Sequence, residues 1–124
     1  MRIQVRLTRE SETILREEKE SYRRRTSATA TYGWLVNKIT KKVFPLVDII
    51  DWQLVYDTQL NLVSDDGAFN TALNLETAVL DNISTMQVKF KEFFGTGFHK
   101  AYVIRLILRA NYMMNANENV MKTR

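Results

Sequence analysis

Cysteine is absent from the 124-residue chain, histidine and proline occur once each, and glycine occurs four times. Without thiols there are no disulfide staples, no thiolate zinc site and no cysteine nucleophile. One imidazole leaves little for proton-transfer or metal chemistry. No apolar run reaches the ~18 residues of a membrane span. The longest candidate, Val43 to Ile50, is interrupted by Pro45 and Asp48. Nor is a secretory leader expected, because Met1-Arg2-Ile3-Gln4-Val5-Arg6 alternates instead of opening an apolar block. What remains is 45% apolar and 26% charged, the balance of an ordinary soluble globular chain. These absences favour a cytoplasmic non-enzyme of one compact domain, without cofactor, metal or small-molecule substrate.

Positive charge is missing from the middle. Residues 1–44 hold eleven Lys/Arg against five Asp/Glu, a net of +6. From Pro45 to Val88 there is no Lys or Arg and there are seven acidic residues, a net of −7. Residues 89–124 hold seven basic and two acidic residues, a net of +5. An anionic partner would be met by the two ends of the chain, with the middle turned away.

Arg2-Ile3-Gln4-Val5-Arg6-Leu7 alternates strictly, the period of a half-buried strand. Ile3, Val5 and Leu7 share one face; Arg2, Gln4 and Arg6 share the other. Thr8 to Arg25 then predicts a helix, with Thr8 or Ser11 as N-cap and Glu12/Arg16 and Glu20/Arg24 spaced i,i+4. Ile14, Leu15 and Tyr22 supply a thin apolar stripe. After the turn-like Thr26 to Thr31, the residues Tyr32, Leu35, Val36, Ile39 and Val43 recur at helical spacing up to Pro45. The stretch Pro45 to Phe69 is ambiguous. Asp48 to Tyr56 suits a buried helix or a strand, and Gln59 to Val63 could pair with Thr71 to Leu75 across the turn Ser64-Asp65-Asp66-Gly67.

From Asn70 the opening pattern returns. Asn70 to Leu75 alternates, with Thr71, Leu73 and Leu75 on one face and Asn70, Ala72 and Asn74 on the other. Glu76 to Phe94 predicts a helix carrying Ala78, Val79, Ile83, Met86 and Phe90, Gly95-Thr96-Gly97 a turn, and His99 to Met114 a second helix with Val103, Leu106, Ile107 and Ala110 inward. Leu7 falls on Leu75, Val5 on Leu73 and Tyr22 on Phe90; one residue short, Val36 falls on Val103 and Ile39 on Leu106. Strand, helix, turn, helix thus occurs twice, which makes an internal repeat the first hypothesis. The units are residues 1–44, an acidic connector 45–69, a second unit 70–114 and a polar, frayed tail 115–124.

The strand and two helices of residues 2–44 resemble the ribbon-helix-helix family of DNA-binding proteins, the class of the Arc and MetJ repressors; residues 70–114 resemble it more weakly. The resemblance implies a mainly α fold with a short two-stranded antiparallel ribbon, two fused units forming a pseudo-two-fold module, and a ribbon that enters the DNA major groove. It also implies base reading by Arg2, Gln4 and Arg6 from the first strand and Asn70, Ala72 and Asn74 from the second. Arginine bonds bidentately to guanine and glutamine or asparagine to adenine, whereas alanine only touches a thymine methyl. Recognition is therefore expected to be asymmetric, stronger on the first strand. The start of each second helix would hold a phosphate through free amides, at Thr29, Ala30 and Thr31 in one half and Gly95, Thr96, Gly97 and Lys100 in the other. Capping and turn chemistry would equally explain those residues.

Other features read blandly. Arg23-Arg24-Arg25 suits a helix end by dipole compensation alone. His99 has no second imidazole or thiol beside it for a metal. Asp65-Asp66-Gly67 fails the calcium-loop pattern, and Asn82-Ile83-Ser84 means nothing without a secretory signal. Trp34, Trp52 and the phenylalanines suit a core, with Phe93 and Phe94 as an alternative interface. Lys100, Arg105 and Arg109 could mark a membrane-surface helix, though such helices usually carry more charge. The chain is thus expected to be a small transcriptional regulator binding double-stranded DNA, with self-association on repeated sites. A transfer-origin (relaxosome) accessory protein, or a protein-interaction module without nucleic acid, are the alternatives.

Overall fold

The computed structural model describes residues 1–62 and 67–123. The opening alternation forms strand β1 (Arg2–Thr8), which runs straight into helix α1 (Arg9–Thr26). Thr8 serves both elements: its hydroxyl accepts from the Ser11 amide and caps the helix. Ser27, in the left-handed conformation, ends α1, and Thr31 caps α2 (Tyr32–Val43) through the Trp34 amide. Pro45 then converts the chain to a single 3₁₀ turn, Phe44–Leu46. The ambiguous middle resolves as a short helix, α3 (Trp52–Asp57), capped by Asp51. Strand β2 (Ala68–Asn74), α4 (Thr77–Phe94) and α5 (Lys100–Asn115) follow.

The ribbon is a two-stranded antiparallel sheet with Arg2 opposite Asn74, Val5 opposite Thr71 and Thr8 opposite Ala68. Two expectations change here. The hairpin between Gln59–Val63 and Thr71–Leu75 is not made, because β2 takes β1 as partner; Gln59 to Leu62 is not strand. The turn assigned to Ser64-Asp65-Asp66-Gly67 lies, apart from Gly67, outside the described residues. Second, β2 begins at Ala68 rather than Asn70. Phe69, a good strand former, packs its half-buried ring near Tyr32 at 6.1 Å.

Both strands have seven residues and both following helices have eighteen. The links differ: Leu75 and Glu76 separate β2 from α4, where β1 has no spacer. Leu7 therefore occupies the place in its strand that Leu73 holds, not Leu75. Leu75 instead extends the ribbon by donating its amide to the Met1 carbonyl, and is itself buried.

Helix α5 is the core. It touches α1, α2, α3, α4 and β1, and its residues from Leu106 to Asn111 are all buried. In the same core lie Leu7 and Leu73 from the ribbon, Ile14 and Leu15 from α1, Leu35, Val36 and Ile39 from α2, and Val79, Ile83, Met86 and Phe90 from α4. Ala78, placed on the apolar stripe of α4 by periodicity, is exposed. The acidic connector belongs to this same core: Val47, Ile50, Trp52 and Val55 are buried, with the Trp52 indole N–H donating to the Val47 carbonyl at 2.9 Å. The tail is docked rather than frayed. Val120 is 1% exposed, its carbonyl accepts from the Asp51 amide, and Lys122 donates to Ile49. Val120 anchors it together with those bonds and an antiparallel bridge between Ile50 and Met121.

The surface of α1 pairs its charges differently from the expected i,i+4 spacing. Glu12 meets Arg9 and Glu20 meets Arg23, both i,i+3. Trp34 also departs from the core expectation: it is 41% exposed and lies tilted against Tyr22, ring centres 4.8 Å apart, with Lys38 over it. No helix among the described residues is long and apolar enough to cross a membrane.

Candidate nucleic-acid interface

Strand alternation sends Ile3, Val5 and Leu7 toward the helices and leaves Arg2, Gln4 and Arg6 exposed. The register sets each of these directly across from a residue of β2 on the same face: Arg2 by Asn74, Gln4 by Ala72, Arg6 by Asn70. Directly opposed residues in an antiparallel pair have Cβ atoms about 4.5–5.5 Å apart. All six sequence-nominated base readers therefore form one continuous patch, with Asn70 and Asn74 exposed and Ala72 half-buried. Its chemistry is two guanidiniums, three carboxamides and one methyl, with no carboxylate.

Among the described residues, three acids close to the strand ends pair elsewhere. Glu10 pairs with Arg109, Glu12 with Arg9, and Glu76 with Lys41. These three carboxylates are therefore paired with cations outside the patch.

One end of the ribbon abuts the start of α2. A Cβ added to Gly33 would stand 2.8 Å from the backbone nitrogen and oxygen of Asn74, so only glycine permits this approach. Asn37, one turn further, clamps the contact: its amide donates to the Asn74 carbonyl at 3.3 Å and its oxygen accepts from the Glu76 amide at 3.0 Å. Between helix start and ribbon lies a shallow hollow of about 340 Å³ bordered by Arg2, Lys19, Thr31, Tyr32, Ala72 and Asn74. Burial pushes the Tyr32 phenol above its ordinary range, so it is a neutral hydrogen-bond donor at physiological pH. Lys19 sits over the same ring at 5.5 Å. Periodicity did not single out Gly33, Asn37, Lys19 or Tyr32 as site residues. The available signal was a glycine inside a helical pattern, which marks close backbone approach.

The nominated phosphate positions divide. Thr29 and Thr31 are exposed at the α2 start; Ala30 is buried, so only its backbone could take part. Gly95, Thr96 and Gly97 do not open α5. Gly95 closes α4 with a φ of +75°, and α5 is preceded by His99. This turn is exposed, but Lys100 folds back to Gln87 at 3.3 Å, and Gln87 in turn donates to the Phe98 carbonyl. The α5 start is surrounded by rings rather than by the ribbon: Phe98 lies 5.1 Å from Phe94 and 4.6 Å from Tyr102, and Tyr56 lies 6.3 Å from Tyr102.

Arg105 and Arg109 do not form an exposed basic face. Arg109 is 3% exposed; its guanidinium donates to Glu10 at 2.7 Å, to the Val55 carbonyl at 3.0 Å and to the Thr58 carbonyl. Arg105 pairs with the other Glu10 oxygen at 3.4 Å. Neither is free for a phosphate or a lipid headgroup. Among the described residues no group of three or more His, Asp or Glu could hold a metal ion. Comparison with known proteins gave no matching family model, no matching curated protein and no matching solved structure.

Proposed function

We propose that the chain is a sequence-specific double-stranded DNA-binding protein, a small transcriptional regulator built from two fused ribbon-helix-helix units. The observation that carries this reading is the outer face of the ribbon, where Arg2, Gln4 and Arg6 stand beside Asn74, Ala72 and Asn70. A major groove about 12 Å wide admits a two-stranded ribbon, and these side chains suit the hydrogen-bonding edges of guanine and adenine.

Packing supports the pseudo-two-fold part of the proposal. The first residue of β1 pairs with the last of β2, as an axis between Val5 and Thr71 requires. Helix α2 packs on β2, while α5 packs on β1, so each half lays its second helix on the other half's strand. The sixth and tenth residues of α2, Asn37 and Lys41, bond at Asn74 and Glu76; those of α5, Arg105 and Arg109, pair with Glu10.

In this reading the α2 start holds a backbone phosphate beside Arg2 and Asn74, through Thr29, Thr31 and local amides. The turn Gly95-Thr96-Gly97 meets the opposite backbone, with Lys100 joining it after releasing Gln87. The same contacts would serve a protein that marks a transfer origin. A protein-assembly role has one observation in its favour, the ring cluster of Tyr56, Phe94, Phe98 and Tyr102 with Phe93 half-exposed beside it.

The test is enrichment of duplexes from a random pool, followed by binding titrations across salt concentrations. A recovered sequence should bind with an affinity that falls linearly in log salt, at a slope of about −0.9 per phosphate contacted. Failure to enrich any sequence, or a salt-insensitive affinity unaffected by Arg2→Gln and Arg6→Gln, sinks the DNA reading in favour of the assembly one.

A further inference from the structure

Away from the ribbon, a hollow of about 480 Å³ opens between the C-terminal half of α1, the outer side of α2 and the end of α5. That volume is in the usual range for small-molecule sites, roughly 300–1,000 Å³. Arg25, Lys38 and Lys42 bring three positive charges to it, and Glu18 one negative charge. Glu18 accepts from the Asn115 amide, whose oxygen accepts from Lys42. Among the described residues Arg25 and Lys38 have no carboxylate partner; Lys38 hovers over the Tyr22 and Trp34 rings at 5.4 and 5.3 Å.

Asn111 also lines this hollow. It is 2% exposed, and its Oδ1 has no hydrogen-bond partner among the described residues. A buried acceptor left unpaired destabilises the fold, so native chains nearly always satisfy it. Its side chain lines the hollow, and a half-turn about the Cβ–Cγ bond exchanges the amide oxygen and nitrogen. An unpaired amide beside uncompensated cations lacks both an anion and a donor.

We propose that this hollow binds a small phosphorylated ligand of about nucleoside-monophosphate size that also carries an N–H or O–H donor. Arg25 and Lys38 hold the phosphate, Lys42 flanks it, and Asn111 accepts from the donor. The phosphate is not one from a duplex on the ribbon. Lys38 and Lys42 lie six and ten residues beyond Tyr32, some ~9 and ~15 Å along the axis of α2 from the end that abuts the ribbon. The assignment does not rest on the DNA-binding reading.

The experiment uses the full chain, isotope-labelled for NMR and titrated with adenosine 5′-monophosphate and, separately, inorganic phosphate. The nucleotide should shift resonances of Arg25, Lys38 and Asn111 saturably and bind about tenfold more tightly than phosphate. The double variant Arg25→Gln/Lys38→Gln changes only exposed side chains and should bind it about tenfold or more weakly. Asn111→Leu should raise the melting temperature while reducing nucleotide affinity to that of phosphate. The proposal is overturned by no saturation at millimolar nucleotide, by unchanged affinity in the double variant, or by an Asn111→Leu chain that melts lower and binds as before. Competition between a duplex and the nucleotide would assign the hollow to the nucleic-acid backbone and overturn it equally.

Discussion

Helices α2 and α5 each follow a strand and an eighteen-residue helix, and they use their charged positions in opposite ways. At the sixth and tenth positions α2 carries Asn37 and Lys41, and α5 carries Arg105 and Arg109. Lys41 meets Glu76 in an ion pair whose side chains are both 51% exposed. Arg109 meets Glu10 with side chains 4% and 20% exposed, and adds the Val55 and Thr58 carbonyls to its bonds. Helix α2 therefore keeps a charged outer side and presents its start to the ribbon. Helix α5 spends its arginines on internal cross-links, from α1 across to the end of α3, and its start is enclosed by aromatic rings. Two helices in matching order along the chain thus differ, α2 with a charged outer side and α5 with buried cross-links.

Removing Arg109 should break this comparison most sharply. Arg109→Met leaves Glu10 with Arg105 alone and the Val55 and Thr58 carbonyls without their donor, and should cost roughly 3–5 kcal/mol in urea denaturation. Lys41→Met should cost about 1 kcal/mol or less, because exposed pairs are worth little. Similar losses in the two variants would refute the inward–outward contrast. Under the proposed DNA-binding function, Arg6→Ala should lose ~1–3 kcal/mol of discrimination against the wrong base, and Asn74→Ala less, because the outward triplet of that strand has alanine in the middle. Equal losses on a selected duplex would show symmetric reading.

Gly33→Ala should destabilise by ~1–3 kcal/mol, since the new methyl meets the Asn74 backbone and neither chain segment can yield easily. Ala101→Gly, the same position of α5, should cost only ~1 kcal/mol in helix propensity. A Gly33→Ala chain of unchanged stability would mean that α2 does not seat on β2 so closely. The smallest effect is expected at high pH. Burial, followed by its bond with Tyr56, pushes the Tyr102 phenol above its ordinary value. Its folded pKa exceeds the unfolded one, so the unfolded chain loses the proton first and stability falls above about pH 10. Tyr102→Phe should flatten that fall in a denaturation series, and an unchanged fall would refute the raised Tyr102 phenol.

Much of the fold was legible because the relevant forces are local. Helix α1 was placed within one residue at each end, and α2 began at the first residue of its apolar series, Tyr32. Those ends are set by Thr8 and Thr31 hydroxyls bonding amides three residues on. The outward triplet Arg2, Gln4, Arg6 was legible for the same reason, since alternation needs only one buried face. What misled was anything that needed a partner remote in sequence. Alternation in β2 fits a hairpin with Gln59–Val63 as well as it fits pairing with β1. Trp34, Ala78 and Val120 each have a side of the molecule that local periodicity does not define. For Arg105 and Arg109 the packed helix was the preferred expectation, but nothing nearby in the sequence announces that Glu10, roughly a hundred residues away, will meet them.

The order of elements, their caps, the two faces of the first strand and the split of charge along the chain follow from the residues alone, since each depends on spacings of a few positions. The joining of the ribbon's halves, the seating of Gly33 on Asn74, the burial of the Glu10–Arg109 pair and the hollow around Asn111 exist only in three dimensions. Each is a contact between segments distant along the chain. Such contacts form only when the whole core closes, because loop-closure entropy must be offset by many of them at once.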